Sequence, residues 1–267
     1  MSSLINLSKA VKINLAKVTN LTPRLQVCMA DDVSGSAHGM HLSGVIQRLF
    51  DRLFAVAYEF DDNRVLDAFA FDSGVYELEP VVESMFGNYV KKYIIPNVQW
   101  GGTNYAPVAQ AIIDHYYPNS IANQASAAVQ DVAAQAKGFF GKLFGGKAAP
   151  VPTPAPASTG GFKPQSAKVK LPDPAYVLFT TDGANFDESA TLAIFEANKD
   201  KQIYWQMIGI SEYGSSKFPF LEKLAGMYPN VGFYNAGAID TVSDDELYSK
   251  LFTPKFVAWY EAARKVA

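Results

Sequence analysis

Three apolar runs constrain the architecture before anything else does. They are "RLQVCMAD" (24–31), "AYVLFTTD" (175–182) and "QIYWQMIGI" (202–210). Apart from Arg24 and the aspartate that ends each of the first two, they carry no charge, and each is too short to cross a membrane as a helix. None has the apolar period of an amphipathic helix. Strands covered on both faces read this way, and such strands belong to parallel sheets sandwiched between helices.

Helical patterns separate the runs. "GVIQRLFDRLFAVAYEF" (44–60) is apolar at 45, 46, 49, 50, 53, 54, 56 and 57, one wide helical face. "VVESMFGNYVKKYI" (81–94) predicts a helix ended by Pro96. "APVAQAIIDHYY" (106–117) predicts another, with Pro107 accommodated in its first turn. Further helices are expected over 187–200, 218–227 and 243–264. The last is interrupted at Pro254 and opened by Ser243 and Glu246 as a capping box. Strands are expected over 64–72 and 74–80, joined at Ser73-Gly74, and over 231–237. Strands alternating with helices predict an α/β, Rossmann-like domain, its mostly parallel central sheet covered on both faces. Ligands bind such sheets at the carboxyl ends of the strands, near the point where strand order reverses.

Two segments stand outside this pattern. "INLSK" (5–9) returns as "INLAK" (13–17), and the alternation predicts a short strand or hairpin segment over 1–22. Residues 118–174 are rich in Ala, Gly and Pro and are expected to form a flexible insertion, a docking or tether segment. Within it, "GFFGKLFGGK" (138–147) interleaves Phe and Lys as a docking or membrane-surface segment does. The main domain is therefore expected over 23–117 and 175–267.

Composition removes several functions. The net charge is −3 with charged residues at 18%, which argues against nucleic-acid binding through phosphate neutralisation. The single cysteine, Cys28, falls in a buried strand and is expected to be a core residue. The first residues contain no continuous apolar stretch of a secretory signal, and no transmembrane segment is expected. The expectation is a soluble, cytoplasmic protein.

The chemistry concentrates at strand ends. "CMADDVSGSAHG" (28–39) leaves the first buried strand with Asp32, Ser34 and Ser36 at alternate positions. Gly35 lets this loop curl, so one carboxylate and two hydroxyls can converge. "WGGTNYAP" (100–107) offers Thr103 in a glycine-rich loop before a helix, and "FTTDGANFD" (179–187) offers Asp182. All are hard oxygen donors, suited to Mg²⁺, with Mn²⁺ or Ca²⁺ as alternatives, rather than to zinc.

These three segments resemble the metal-ion-dependent adhesion site of the von Willebrand factor A fold. More narrowly, the chain resembles the vWA domain of TerF-like tellurium-resistance proteins. The residues that carry the narrower likeness are 43–72, "GGTNYAPV" (101–108), "VLFTTDGANFD" (177–187), "IYWQMIGI" (203–210), "FPFLEKLAGM" (218–227) and "SDDELY" (243–248). The resemblance implies that Asp32, Ser34, Ser36, Thr103 and Asp182 hold a divalent cation. Ser34 and Ser36 would bind directly, Asp32 and Asp182 partly through water, and Thr103 would exchange in and out as the site opens and closes. It further implies a protein-interaction module of a tellurite-resistance or stress-response system, not an enzyme, whose protein partner supplies a carboxylate to the metal. His38, Asn104 and Asn185 are candidates for the partner-binding rim. Ala37 departs from the pattern, since many members carry methionine there. The opening residues also resemble the first strands of TerD-type domains.

Two other functions compete. A Mg²⁺-dependent phosphohydrolase would suit an aspartate after the first strand, but Ser34 stands where that chemistry wants a second aspartate. Neither a P-loop nor a G-x-S-x-G elbow occurs. A structural scaffold subunit of a larger assembly, such as a viral particle, would suit the long tether. Several other residues carry an ordinary structural reading. His38 and His41 have too few nitrogen or sulfur partners for zinc and read as polar residues at a helix start. Asp31 should point away from Asp32, and Asp61-Asp62 should form a solvated turn. Asp187 should cap the helix that follows it.

Overall fold

The computed structural model describes residues 3–118, 173–212 and 216–264. One compact unit comprises Met1–Ile112 and Leu171–Ala267, and 113–170 form a second. Most of the insertion expected over 118–174, with its Phe- and Lys-bearing stretch, lies outside the described residues.

A six-stranded sheet forms the centre, ordered β3-β2-β1-β4-β5-β6. Its strands are β1 (Gln26–Asp32), β2 (Asp67–Phe71), β3 (Val75–Glu77), β4 (Ala175–Thr181), β5 (Ile203–Ile210) and β6 (Val231–Gly237). All neighbours are parallel except β3, which returns antiparallel to β2 at the edge. Every residue of β1, β2, β4 and β5 is buried, as their apolar runs require. The chain builds outward from β1 in one direction through β2 and in the other through β4. The reversal point therefore lies between β1 and β4, and their carboxyl ends open the crevice where such sheets take ligands.

The helices are α1 (Leu4–Ala16), α2 (His38–Leu42), α3 (Val45–Phe60), α4 (Ala106–Tyr116), α5 (Glu188–Ala197), α6 (Pro219–Met227), α7 (Asp244–Leu251) and α8 (Pro254–Arg264). On one face, α1, α3, α7 and α8 pack over Val27, Met29, Leu178 and Ile208. On the other, Tyr105 before α4 meets Phe71 and Phe179 with ring centroids 5.7 and 5.1 Å away, and Phe195 of α5 meets Trp205 at 5.0 Å. The α/β sandwich with helices on both faces is thus present.

Three local expectations need correction. The N-terminal strand or hairpin segment over 1–22 is a helix, α1. Ser3 caps it by accepting from the Asn6 N–H. Leu4, Leu7, Val11 and Leu15 recur at spacings of three and four and are buried, which is a helical stripe. Ile5 and Ile13 of the repeated I-N-L are 61% and 58% exposed. The repeat spans eight residues, which fits two helical turns as well as four strand pairs, so alternation alone misled.

The second correction concerns 81–94, which is no α-helix. A 3₁₀ turn over Glu83–Met85, a π turn over Val90–Ile94 and a 3₁₀ turn over Ile95–Asn97 replace it. Gly87, at φ +81°, breaks the helical run in its middle. The third is the Asp61-Asp62 turn. Asp61 is buried and accepts from the Val27 N–H of β1 at 3.0 Å, tying the end of α3 to the central strand. Burial pushes its carboxyl up to about 6, with Asp67 and Asp62 adding to the rise. By contrast, Pro254 does break the last helical stretch, standing at the first position of α8. Ser243 caps α7 through the Glu246 N–H, while the Glu246 carboxylate goes to the Tyr234 hydroxyl instead of closing a capping box.

The helical reading of the N-terminus has a direct check. Leu7→Ala should cost about 2–5 kcal/mol in chemical denaturation, as core truncations do. Ile5→Ala should stay within about 0.5 kcal/mol, as at a solvent-facing position. A strand would bury both side chains on one face and make both truncations costly.

Candidate metal centre

The doubled aspartate ends β1 and is split by the strand's alternation. Asp31 and Asp32 leave on opposite faces. Asp31 faces α2 and α3, where its Oδ2 meets His41 Nε2 at 2.8 Å and its Oδ1 accepts from the Thr180 hydroxyl at 3.0 Å. Asp32 faces α4 and accepts from the Thr181 hydroxyl at 2.6 Å. Asp31 therefore does point away from Asp32. His41 is not an ordinary polar residue, because its ring is buried and held between Asp31 and the Ala37 carbonyl. Burial pulls its pKa down, but the Asp31 charge and hydrogen bond outweigh this and the net shift is upward.

Four of the five expected donors meet at the reversal point. Asp32 Oδ1 accepts from the Ser34 N–H at 2.8 Å, which curls the loop as the D-x-S-x-S spacing suggested. Ser34 and Ser36 hydroxyls lie 3.1 Å apart. Both reach Asp182 Oδ1, at 3.4 and 3.0 Å respectively. Asp32 and Ser34 are buried and Ser36 is exposed, so the group opens to solvent on the Ser36 side.

Thr103 is buried in the loop alongside. The Gly101 carbonyl accepts from the Gly35 N–H at 2.9 Å, and the Thr103 carbonyl accepts from the Phe186 N–H at 3.0 Å. The Thr103 loop is thus bonded to the first motif on one side and to the Asp182 loop on the other.

Several residues that support the cluster carried no sequence signal. Asp72, at the end of β2, accepts from the Gly74 N–H, the Gly101 N–H and the Tyr76 hydroxyl, at 2.8, 2.9 and 3.0 Å. A Cβ on Gly101 would stand 2.9 Å from Asp72 Oδ2 and would push that carboxylate aside. The preceding Trp100 adopts φ +59°, a conformation that costs a bulky residue about 1–3 kcal/mol. Its ring is held against His38 and His41, with centroids 4.3 and 4.9 Å away. The Tyr105 hydroxyl meets the Thr181 hydroxyl at 3.0 Å and so extends the chain of bonds that ends on Asp32. Only the position of these residues beside the motifs could have suggested them.

Asp187 caps a helix, but not the one that follows it. Its two oxygens accept from the Tyr105 and Ala106 N–H groups at 3.0 and 2.8 Å, the start of α4. Pro107 has no N–H to offer, so the helix opens with its first donors taken by a carboxylate from another element. Asn185 supports this cap, donating to Asp187 at 2.7 Å. It is buried, so its side chain does not belong to an exposed rim. Asn104 donates to the Ser73 carbonyl at 3.3 Å, and its own N–H goes to the Asp72 carbonyl. His38 lies half-buried on Trp100. Beside the cluster Phe186 is 83% exposed, and its ring lies over Gly102.

The donor chemistry suits a hard divalent cation. Burial and the Asp182 charge together push the Asp32 carboxyl up to about 6. Burial likewise raises Asp182. Two carboxylates held at one point without a compensating charge resist ionisation, and a cation would reverse that effect. No group of three or more His, Cys, Asp or Glu side chains among the described residues is placed to hold a metal ion by itself. The donors here are two carboxylates and hydroxyls, an oxygen set that Mg²⁺ accepts. An open cleft of about 530 Å³ elsewhere is lined by Arg48, Asp51, Arg52 and Asp240, but its arginines are already paired with Asp240 and Asp244.

A family described as the vWA found in the TerF C terminus, vWA-TerF-like, matches residues 24–130 and 164–267. The chain belongs to this family. An uncharacterized protein of Bacillus subtilis (strain 168), YcbR, is 28% identical over 266 residues, covering 96% of this chain and 86% of the relative. Proximal thread matrix protein 1 from the mussel byssus aligns at 14% identity with a TM-score of 0.41, over 89% of this chain and 48% of that one.

The charge stored at Asp32 has a measurable sign. Its folded pKa of about 6 lies above the ordinary 3.8, so the fold favours the protonated form. That contribution is fully present below pH 4 and is lost as pH rises through 6. In chelator-treated protein, Asp32→Asn should leave stability at pH 4 nearly unchanged. Above pH 6 it should raise stability by up to about 3 kcal/mol, measured by denaturant unfolding across pH.

Proposed function

We propose that this member of the vWA-TerF-like family is a metal-dependent protein-interaction module. The observation that carries the reading is the convergence of Asp32, Ser34, Ser36 and Asp182 at the one point of the sheet where strand order reverses. With Thr103, these residues would hold a divalent cation, Mg²⁺ before Mn²⁺ or Ca²⁺. The bound ion supplies positive charge beyond what two carboxylates offset, and so takes a carboxylate from a protein partner. Ser36 marks the open side from which that partner arrives. His38 and Phe186 flank the approach.

The side-chain arrangement favours binding over catalysis. A serine nucleophile of the triad kind takes a histidine as its base, within hydrogen-bond reach. His41 is committed to Asp31 and the Ala37 carbonyl on the opposite face, and His38 packs on Trp100. Cys28 is buried in β1, away from any role in thiol reduction of tellurium oxyanions. The biological setting we assign is a cytoplasmic stress-response system of the tellurite-resistance kind, on the strength of the family alone. No helix among the described residues is long and apolar enough to cross a membrane.

Titration calorimetry of the chelator-stripped protein tests the reading. Mg²⁺ or Mn²⁺ should bind at one site per chain, and Asp32→Ala should abolish the heat of binding. Failure of Mg²⁺, Mn²⁺ and Ca²⁺ alike to bind, or binding unchanged in Asp32→Ala, would sink it.

A further inference from the structure

We infer that Asp187 is a positioning residue that holds Thr103 as a constant, pre-set donor beside Asp32, Ser34 and Ser36. The proposal rests on the metal-binding reading above and concerns how that site is assembled. It departs from the expectation that Thr103 exchanges in and out.

The geometry that supports it is a loop held from both ends. Residues 100–105 cross between β2 and the Asp182 loop. On the β2 side, buried Asp72 takes the Gly101 N–H on its carboxylate and the Asn104 N–H on its backbone carbonyl, both at 2.9 Å. Ser73 adds a bond from the Gly102 N–H at 3.0 Å. On the other side, Asp187 takes the Tyr105 and Ala106 N–H groups. Its Oδ1 also accepts from Asn185 at 2.7 Å and the Thr191 hydroxyl at 3.2 Å, so the carboxylate cannot swing away without breaking bonds inside its own segment. Thr103 sits between these anchors, with its own carbonyl bonded to the Phe186 N–H one residue before Asp187.

The consequence is a fixed distance between two loops. Asp182 and Asp187 belong to one turn following β4. By gripping α4 at its first N–H groups, that turn carries Asp182 and the Thr103 loop as one body. A Thr103 that moved out to open the site would have to pull α4 from its cap or drag Asp182 with it. Carboxylates bonded to helix-terminal N–H groups are among the stronger neutral-to-charged bonds available. Partners at this remove from a metal set its affinity by holding the donors in place.

A double-mutant cycle on Mg²⁺ affinity tests this, with titration calorimetry on wild type, Asp187→Ala, Thr103→Ala and the double variant. Each single change should weaken Mg²⁺ binding about tenfold or more, and the double variant should bind no worse than Thr103→Ala. If Asp187→Ala binds as wild type does, or if the two losses multiply, the proposal is overturned. Multiplied losses would mark Asp187 as a general support of the fold. Asp187→Asn keeps an acceptor for one of the two N–H groups and should fall between wild type and Asp187→Ala. It serves in the same cycle should the alanine variant not fold. Wild type that binds no Mg²⁺ refutes the metal-binding reading and the proposal with it. Wild type that binds alongside an unaffected Asp187→Ala refutes the proposal alone.

Discussion

Two carboxylates, Asp32 from β1 and Asp182 from the end of β4, are held at one edge of the sheet by hydroxyl and backbone donors. The rest of the molecule can be understood from the cost of keeping them there. Burial and mutual repulsion raise Asp32 to about 6. Against this stand the Thr181 hydroxyl and the Ser34 N–H on Asp32, and the Ser34 and Ser36 hydroxyls on Asp182. The parallel pairing of β1 with β4 places Asp31 opposite Thr180 and so brings the two strand ends side by side. A neutral pair of residues would pack here at less cost. Stability spent at the strand-order reversal of the described sheet is what the proposed ligand site would require.

Around this centre the chain uses acidic residues as structural anchors rather than as further ligands. Asp31 holds His41 of α2, Asp72 holds the glycine-rich loop, and Asp187 holds the start of α4. Each carboxylate is spent on backbone N–H groups or a ring nitrogen, which leaves Asp32 and Asp182 as the pair facing the opening. The strained Trp100 follows from the same design, because its ring closes over both histidines while its backbone turns toward Gly101. Function, in this view, depends on loops that are firmly placed and on one small oxygen-lined opening beside an exposed phenylalanine.

Much of this was legible in the sequence, and the reasons differ by residue. Uninterrupted apolar runs identify central strands because burial on both faces leaves no room for polar alternation. The spacing of Asp32, Ser34 and Ser36 was legible because a strand that ends in a curl turns alternate side chains to one point. Asp182 followed from its place at the end of an apolar central strand. The N-terminal helix was misread because an eight-residue repeat fits both periods, and only burial distinguishes Leu7 from Ile5. The turns over 83–97 were misread because apolar spacing does not register the glycine at φ +81°. Asp72 and Asp187 were opaque for another reason. Their partners are backbone N–H groups some thirty and eighty residues away, and backbone donors carry no sequence signature.

Anomalous diffraction from crystals of the intact chain grown with Mn²⁺ would locate the ion itself. The expected result is a peak about 2 Å from the hydroxyl oxygens of Ser34, Ser36 and Thr103, at the carboxyl ends of β1 and β4. A peak only elsewhere on the molecule, or none at saturating Mn²⁺, would contradict the assignment of this opening as a metal centre.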